Sequence, residues 1–265
     1  MRIAVLGATG RMGQAVIRAV LEKDKEFLSG GHIGKDKSKI DKDLGVIAGG
    51  EPVGALATDR MQTVFAGTDV AIDFTSPDCV EEHCQFAKAA KTALVVGTTG
   101  LTEEHLDMLR DTADTVPVVW APNMSLGVNI LCSLVKKAAS ILDDDYDIEI
   151  FEAHHKFKKD APSGTALALA EYAAKGREIE NYKPDYDIRE GEREKGAIGF
   201  SVMRGGDIVG EHDVVFAAGG ERLILSHKAT DRSIFARGAV TAALWTKDKA
   251  PGFYSMQDVL GLSKT

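Results

Sequence analysis

The way the chain begins constrains it most. Met1 and Arg2 lead into the apolar run Ile3-Ala4-Val5-Leu6, and Gly7-Ala8-Thr9-Gly10-Arg11-Met12-Gly13 follows at once. From Gly13 to about Lys23, residues Ala15, Val16, Ala19 and Val20 recur at helical spacing. A buried strand that runs through a glycine turn into a helix is the opening of a doubly wound sheet. The G-x-x-G-x-x-G pattern is a variant of the dinucleotide-binding fingerprint. Gly7 allows the tight turn, Gly10 removes a side chain where backbone must approach a pyrophosphate, and Gly13 lets the helix pack closely on the strand. The N–H groups and positive dipole end of that helix then face the phosphates.

The rest of the first half repeats the strand–helix theme. Strands are predicted over residues 27–33, 70–74, 93–96 and 116–120, and helices open at Ser76-Pro77-Asp78 and Thr102-Glu103-Glu104. Unbroken apolar strands alternating with helices argue for a parallel sheet covered on both faces. Loops at the carboxyl ends of such strands bind ligands, which singles out Gly97-Thr98-Thr99-Gly100 and Ala121-Pro122-Asn123-Met124-Ser125. Specificity between NADH and NADPH is read after strand two, where the chain has Gly31-His32-Ile33-Gly34-Lys35-Asp36. The usual acidic position is not clearly filled. Lys35 reads either as the partner of a 2′-phosphate or as a plain surface charge, and Asp36 either as a ribose ligand or as another surface charge.

Beyond about residue 125 the pattern changes. A helix is predicted over 128–142, a strand over 147–151, a polar loop over 152–162 and a helix from Ser163 to about Lys175. An exposed loop over 177–197, three strands (198–204, 212–218 and 222–227) and a helix over 233–245 follow. Strands in succession suggest an antiparallel or mixed sheet. The predicted fold class is α/β: a Rossmann-type parallel sheet domain plus a smaller α+β domain with a mixed or antiparallel sheet. The expected dinucleotide-binding domain is 1–125, completed by 233–265, and the substrate-binding and oligomerisation domain is 126–232.

Composition narrows the partners. The formal net charge of −8, from 32 basic and 40 acidic residues, argues against a general nucleic-acid binder. No apolar run reaches the roughly 18–20 residues of a membrane span, and the N-terminus lacks a signal-peptide pattern. Three cysteines, Cys79, Cys84 and Cys132, are an odd number with no C-x-x-C pair, so free thiols in a reducing cytoplasm are expected.

The richest segment is Glu152-Ala153-His154-His155-Lys156-Phe157-Lys158-Lys159-Asp160-Ala161-Pro162-Ser163-Gly164-Thr165. Two histidines and three lysines lead into a helix N-terminus, a combination that suits a substrate carrying carboxylates. Histidine is the side chain best suited to move protons near neutral pH. Taken singly, the histidines read as surface groups, the lysines as solvated charges and Ser163 as an N-cap. No third ligand is spaced for zinc, so no metal is expected.

Together with Gly205-Gly206-Asp207-Ile208-Val209-Gly210-Glu211-His212, Glu221-Arg222-Leu223 and Ser226-His227-Lys228-Ala229, these motifs span the whole chain in order. The set resembles the bacterial 4-hydroxy-tetrahydrodipicolinate reductase family, also called dihydrodipicolinate reductase, of lysine and diaminopimelate biosynthesis. The resemblance implies that His154 is proton donor and acceptor and Lys158 a proton donor. It implies that His155, Lys158, Gly164 and Thr165 hold the carboxylates of a small cyclic substrate. It implies NADH or NADPH lined by Gly7, Ala8, Thr9, Gly10, Arg11, Met12, Gly97, Thr98, Thr99, Ala121, Pro122, Asn123 and Met124. It also implies a homotetramer built through the second domain's sheet. The family's acidic residue after strand two, often followed by Arg, falls at Ile33 and Gly34 here, which leaves Lys35 as a substitute. Two other readings of the glycine turn are a different two-domain NAD(P)-dependent oxidoreductase and a non-catalytic dinucleotide sensor.

Overall fold

The computed structural model describes residues 1–24, 27–34, 37–180 and 192–263. In chain order the elements are β1 (Ile3–Leu6), α1 (Arg11–Lys23), β2 (Leu28–His32), α2 (Leu44–Ile47), β3 (Ala57–Thr58), α3 (Met61–Phe65), β4 (Val70–Asp73), α4 (Val80–Ala90), β5 (Ala93–Val96), α5 (Glu103–Ala113) and β6 (Pro117–Trp120). Then come α6 (Leu126–Ile141), β7 (Asp147–His154), α7 (Gly164–Gly176), β8 (Ile198–Arg204), β9 (Gly210–Ala218), β10 (Glu221–Ala229), α8 (Ser233–Trp245), β11 (Gly252–Tyr254) and α9 (Met256–Val259). They form two compact units, Met1–Leu126 with Ser233–Thr265, and Gly127–Arg232.

The first unit is a seven-stranded sheet of order β11-β6-β5-β4-β1-β2-β3. Every neighbouring pair is parallel. Strands β1, β4 and β5 are buried along their whole length, because alternate side chains feed two cores. Ile3, Val5, Ile72 and Val95 point to one core with α1 and α8. Ala4, Leu6, Ala71, Leu94 and Val96 point to the other with α3, α4 and α5. A strand buried on both faces cannot alternate polar and apolar residues, which is why these runs are continuously apolar. All carboxyl ends of the parallel strands lie along one edge, and the glycine turn opens there.

The second unit is a four-stranded sheet of order β10-β9-β7-β8. Strands β7 and β8 are parallel, while β9 is antiparallel to both β7 and β10. Ile148, Ile150, Val214 and Phe216 pack with apolar residues of α6 and α7 in one core. On the outer strands β8 and β10, Val202, Met203, Leu223 and Ile224 are exposed.

Three expectations need correction. Strand β7 runs to His154 and does not stop at Phe151, so Glu152 and His154 are strand residues, not loop residues. The helix expected at Ser76 starts with a short 3₁₀ turn over Pro77–Cys79, and Ser76 Oγ lies against Cys79 Sγ at 3.6 Å without capping any backbone N–H. The first sheet also has two edge strands, β3 and β11, that have no counterpart in the sequence reading. Ser163 caps α7 as expected, accepting from the Ala166 N–H. The three cysteines are free thiols. Among the described residues, no helix is long and apolar enough to cross a membrane.

Helix α8 is seated on the loop after β6 through Gly238, where an added methyl would lie 1.7 Å from the Met124 carbonyl oxygen. That oxygen belongs to backbone and cannot step aside as a side chain does. Gly238→Ala is expected to lower the unfolding free energy by about 1–3 kcal/mol in urea titrations. An unchanged midpoint would contradict this seating.

Candidate active site

In the first unit, a cavity at the strand carboxyl ends is lined by Met12, Gly97, Thr98, Thr99, Pro122, Asn123 and Met124, all expected to contact a cofactor. Phe74, Thr75 and Phe235 line it as well and were missed. The adjoining turn is built as a cradle. Gly7 has φ +70°, which favours glycine, and its carbonyl accepts from the Gly10 N–H at 2.9 Å. A Cβ on Gly13 would lie 2.1 Å from that same carbonyl, so α1 can pack here only with glycine at this position. Ala8 is buried and donates its N–H to the His32 carbonyl, Thr9 accepts from Gln14 Nε2, and Arg11 is exposed. Ala121 is buried, its N–H on the Val96 carbonyl. Lys35 and Asp36 lie outside the described residues.

Helix α1 opens without a side-chain cap and without an acidic residue in its first turn. A helix end left in this state suits an anion. The residues present therefore fit a dinucleotide.

Beneath the cavity, Asp73 ends β4 as a buried carboxylate. Its Oδ1 accepts from Thr75 N (2.8 Å), Thr75 Oγ1 (2.7 Å) and Thr98 Oγ1 (3.2 Å), and Oδ2 meets His83 Nδ1 at 2.6 Å. Burial alone pushes this carboxyl up, but the hydrogen bonds from His83 and Thr75 outweigh it and hold it below the usual range.

In the second unit, the ends of β7 and β8, the loop over 155–162 and the start of α7 bring the remaining expected residues together. Glu152 and His154 share one face of β7 because they are two residues apart. Glu152 is fully buried, and its Oε2 lies 2.6 Å from His154 Nδ1. Arg204 forks onto both carboxylate oxygens at 2.7 and 2.8 Å, and the Ser163 N–H donates to Oε1 at 2.9 Å. Burial pushes the Glu152 carboxyl up, yet the hydrogen bonds from His154, Arg204 and Ser163 bring it down to about 2.

Lys158 donates to both oxygens of Asp160 at 2.9 and 2.8 Å. Asp160 is exposed, and exposed pairs of this kind are weak, so an incoming carboxylate can compete for the ammonium. His155 is half-buried, with Nε2 3.5 Å from Arg232, a further cation that sequence reasoning missed. Gly164 is the first residue of α7, and nothing lies within 4 Å of where its Cβ would be. Thr165 follows it. The positive end of α7 is thus open at Gly164, an arrangement that suits a carboxylate.

His212, on β9, is buried with Nε2 3.0 Å from Ser163 Oγ, and its ring meets that of His154 edge-on at 5.1 Å. Burial first, and then the facing His154, push it down to about 3, so it is neutral at pH 7. Glu152, Arg204 and His212 were not assigned roles from sequence. Period-2 alternation places Glu152 beside His154 only when β7 is carried three residues past Phe151, to His154.

With this geometry in hand, the comparisons are consistent at every level. Residues 1–124 match the family model "Dihydrodipicolinate reductase, N-terminus", and residues 127–260 match "Dihydrodipicolinate reductase, C-terminus". The chain belongs to the dihydrodipicolinate reductase family. A relative named 4-hydroxy-tetrahydrodipicolinate reductase from Cereibacter sphaeroides is 49% identical over 98% of both chains. Another of that name from a Ruegeria species is 50% identical over the same shares. Among solved structures, a dipicolinate-bound dihydrodipicolinate reductase from Paenisporosarcina sp. TG-14 has the same fold. Its TM-score is 0.76 at 24% identity, covering 97% of this chain and 98% of its own.

The buried histidines set a pH dependence. An unfolded His212 takes up a proton near its ordinary value of 6.5, whereas the folded one stays neutral to about 3. Its contribution to stability is therefore complete above pH 6.5 and is lost as the pH falls toward 3. His32 and His227 are also lowered, chiefly by burial, and act in the same direction. His212→Gln should flatten the decline of unfolding free energy below pH 6.5 by up to about 1.4 kcal/mol per pH unit. Urea unfolding at a series of pH values checks this, and an unchanged slope would contradict a neutral buried His212.

Proposed function

We propose that this chain reduces 4-hydroxy-tetrahydrodipicolinate to tetrahydrodipicolinate with NADH or NADPH, in lysine and diaminopimelate biosynthesis. The observation that carries the reading is the convergence of His154, Lys158 and the start of α7 in one unit. Relatives of the corresponding name, about half identical over nearly the whole chain, support it. A different oxidoreductase or a non-catalytic sensor would use the glycine turn but has no need of this array.

The bound reduced nicotinamide supplies a hydride to the substrate ring. Gly7 to Met12 would hold the pyrophosphate, and Gly97 to Thr99 with Ala121 to Met124 would hold the nicotinamide end. Lys35 is our candidate for reading a 2′-phosphate. On the second unit, His155, Lys158, Gly164 and Thr165 bind the two carboxylates, and Arg232 adds positive charge. His154, aided by Lys158, donates the proton that completes the reduction. The domains divide accordingly, with 1–125 and 233–265 for the cofactor and 126–232 for substrate and assembly. The exposed apolar residues of β8 and β10 support a homotetramer formed through that sheet. Free thiols support a reducing, cytoplasmic setting.

The test is loss of the near-ultraviolet absorbance of NADH or NADPH on adding freshly generated 4-hydroxy-tetrahydrodipicolinate. No substrate-dependent oxidation with either cofactor would overturn the reading. His154→Ala and Lys158→Ala are each expected to lower kcat by about 10²–10⁴-fold with cofactor binding retained. Unchanged turnover in both would remove the proton-donor assignment. Lys35→Ala should shift the NADPH/NADH preference toward NADH, and an unmoved ratio would exclude a phosphate-binding role.

A further inference from the structure

We propose that Glu152 is a positioning residue that holds His154 and the first turn of α7 in one frame. The proposal rests on the reductase reading above, because it assigns Glu152 to the geometry of that reaction.

A carboxylate offers about four acceptor positions, and here four donors fill them. Oε2 takes His154 Nδ1 and Arg204 Nη1, and Oε1 takes the Ser163 N–H and Arg204 Nη2. Only Arg204 is needed to neutralise a buried carboxylate. The other two partners are the proposed proton donor and the cap of the helix whose first turn faces the substrate carboxylate. One side chain thus spans β7 and the start of α7. Arg204 extends the tie through a second bond from Nη2 to the Asp160 carbonyl at 2.8 Å, in the loop that carries Lys158.

The bond from Nδ1 to Glu152 fixes the ring and leaves Nε2 as the nitrogen that exchanges protons. Nε2 faces Gly210, where even a Cβ would approach to 3.0 Å. The charged and titratable groups around His154 come from every neighbouring strand. They are Glu152 on its own strand, Arg204 on β8, His212 on β9 with His227 beside it on β10, and Lys158 and Asp160 from the loop. Among the described residues, Glu152 is the one of these groups that is hydrogen-bonded to the His154 ring. Bonds to a second layer of this kind orient catalytic groups, and their loss commonly costs about 10–100-fold in activity.

Glu152→Gln removes the charge and turns an N–H₂ group toward at least one of the present donors. Glu152→Asp keeps the charge but is one methylene short of reaching all three partners. The expected kcat is about 100-fold below wild type for Gln and about tenfold below for Asp, with NADPH affinity within about twofold of wild type in both. Proton NMR of histidine-labelled protein supplies an independent readout. Wild type should show a low-field imidazole N–H resonance that disappears in His154→Asn, and that resonance should move upfield in the Gln variant. Wild-type kcat in the folded Asp variant, or an unmoved resonance in Gln, would overturn the proposal. If the Gln variant does not fold, the Asp variant decides by its kcat. If wild type itself fails to turn over, the reductase reading has failed, while the resonance still reports on Glu152.

Discussion

Each unit of this protein depends on a carboxylate that lies near the carboxyl end of a strand and has no access to water. Such a group stays ionised in a protein interior only when hydrogen-bond donors surround it. Glu152 collects donors from β7, β8 and the cap of α7. Asp73 collects donors from the loops after β4 and β5 and from α4. In both cases the donors belong to the segments that line a site. The cost of burying the charge is offset only if those segments hold their places, so the carboxylate makes the local geometry of its site cooperative. Both carboxyls lie below their usual range, in agreement with this arrangement.

The sheets determine where those carboxylates stand. In the first unit every strand is parallel, so the turn after β1 and the loops after β4, β5 and β6 emerge along one edge. Two-sided burial fixes the register of the central strands, since a one-residue slip would exchange the two cores. In the second unit the pairing of β7 with both β8 and β9 brings Arg204 and His212 to opposite sides of the Glu152–His154 pair.

Much of this was legible in the sequence for specific reasons. The glycine turn, the loops over 97–100 and 121–124, and the Ser163 cap carry local signals, and each is found where those signals put it. The edge strands β3 and β11 span two and three residues, too short for any period to show. The end of β7 was misread because buried Glu152 and His154 look like loop residues until their partners are known. Those partners are distant in the chain: Arg204 lies 52 residues from Glu152, and Thr98 lies 25 from Asp73. Pairing over such separations is a property of the folded sheet and leaves no local pattern.

The central claim is that the second unit's histidine and lysine array serves a hydride transfer from the dinucleotide. Isotope transfer tests it most directly. The protein is incubated with freshly generated 4-hydroxy-tetrahydrodipicolinate and NADPH or NADH deuterated at nicotinamide C4, and the product is weighed by mass spectrometry. The account predicts a tetrahydrodipicolinate that carries one deuterium from the cofactor. Cofactor oxidation without deuterium in that product, or no product with either cofactor, would contradict it.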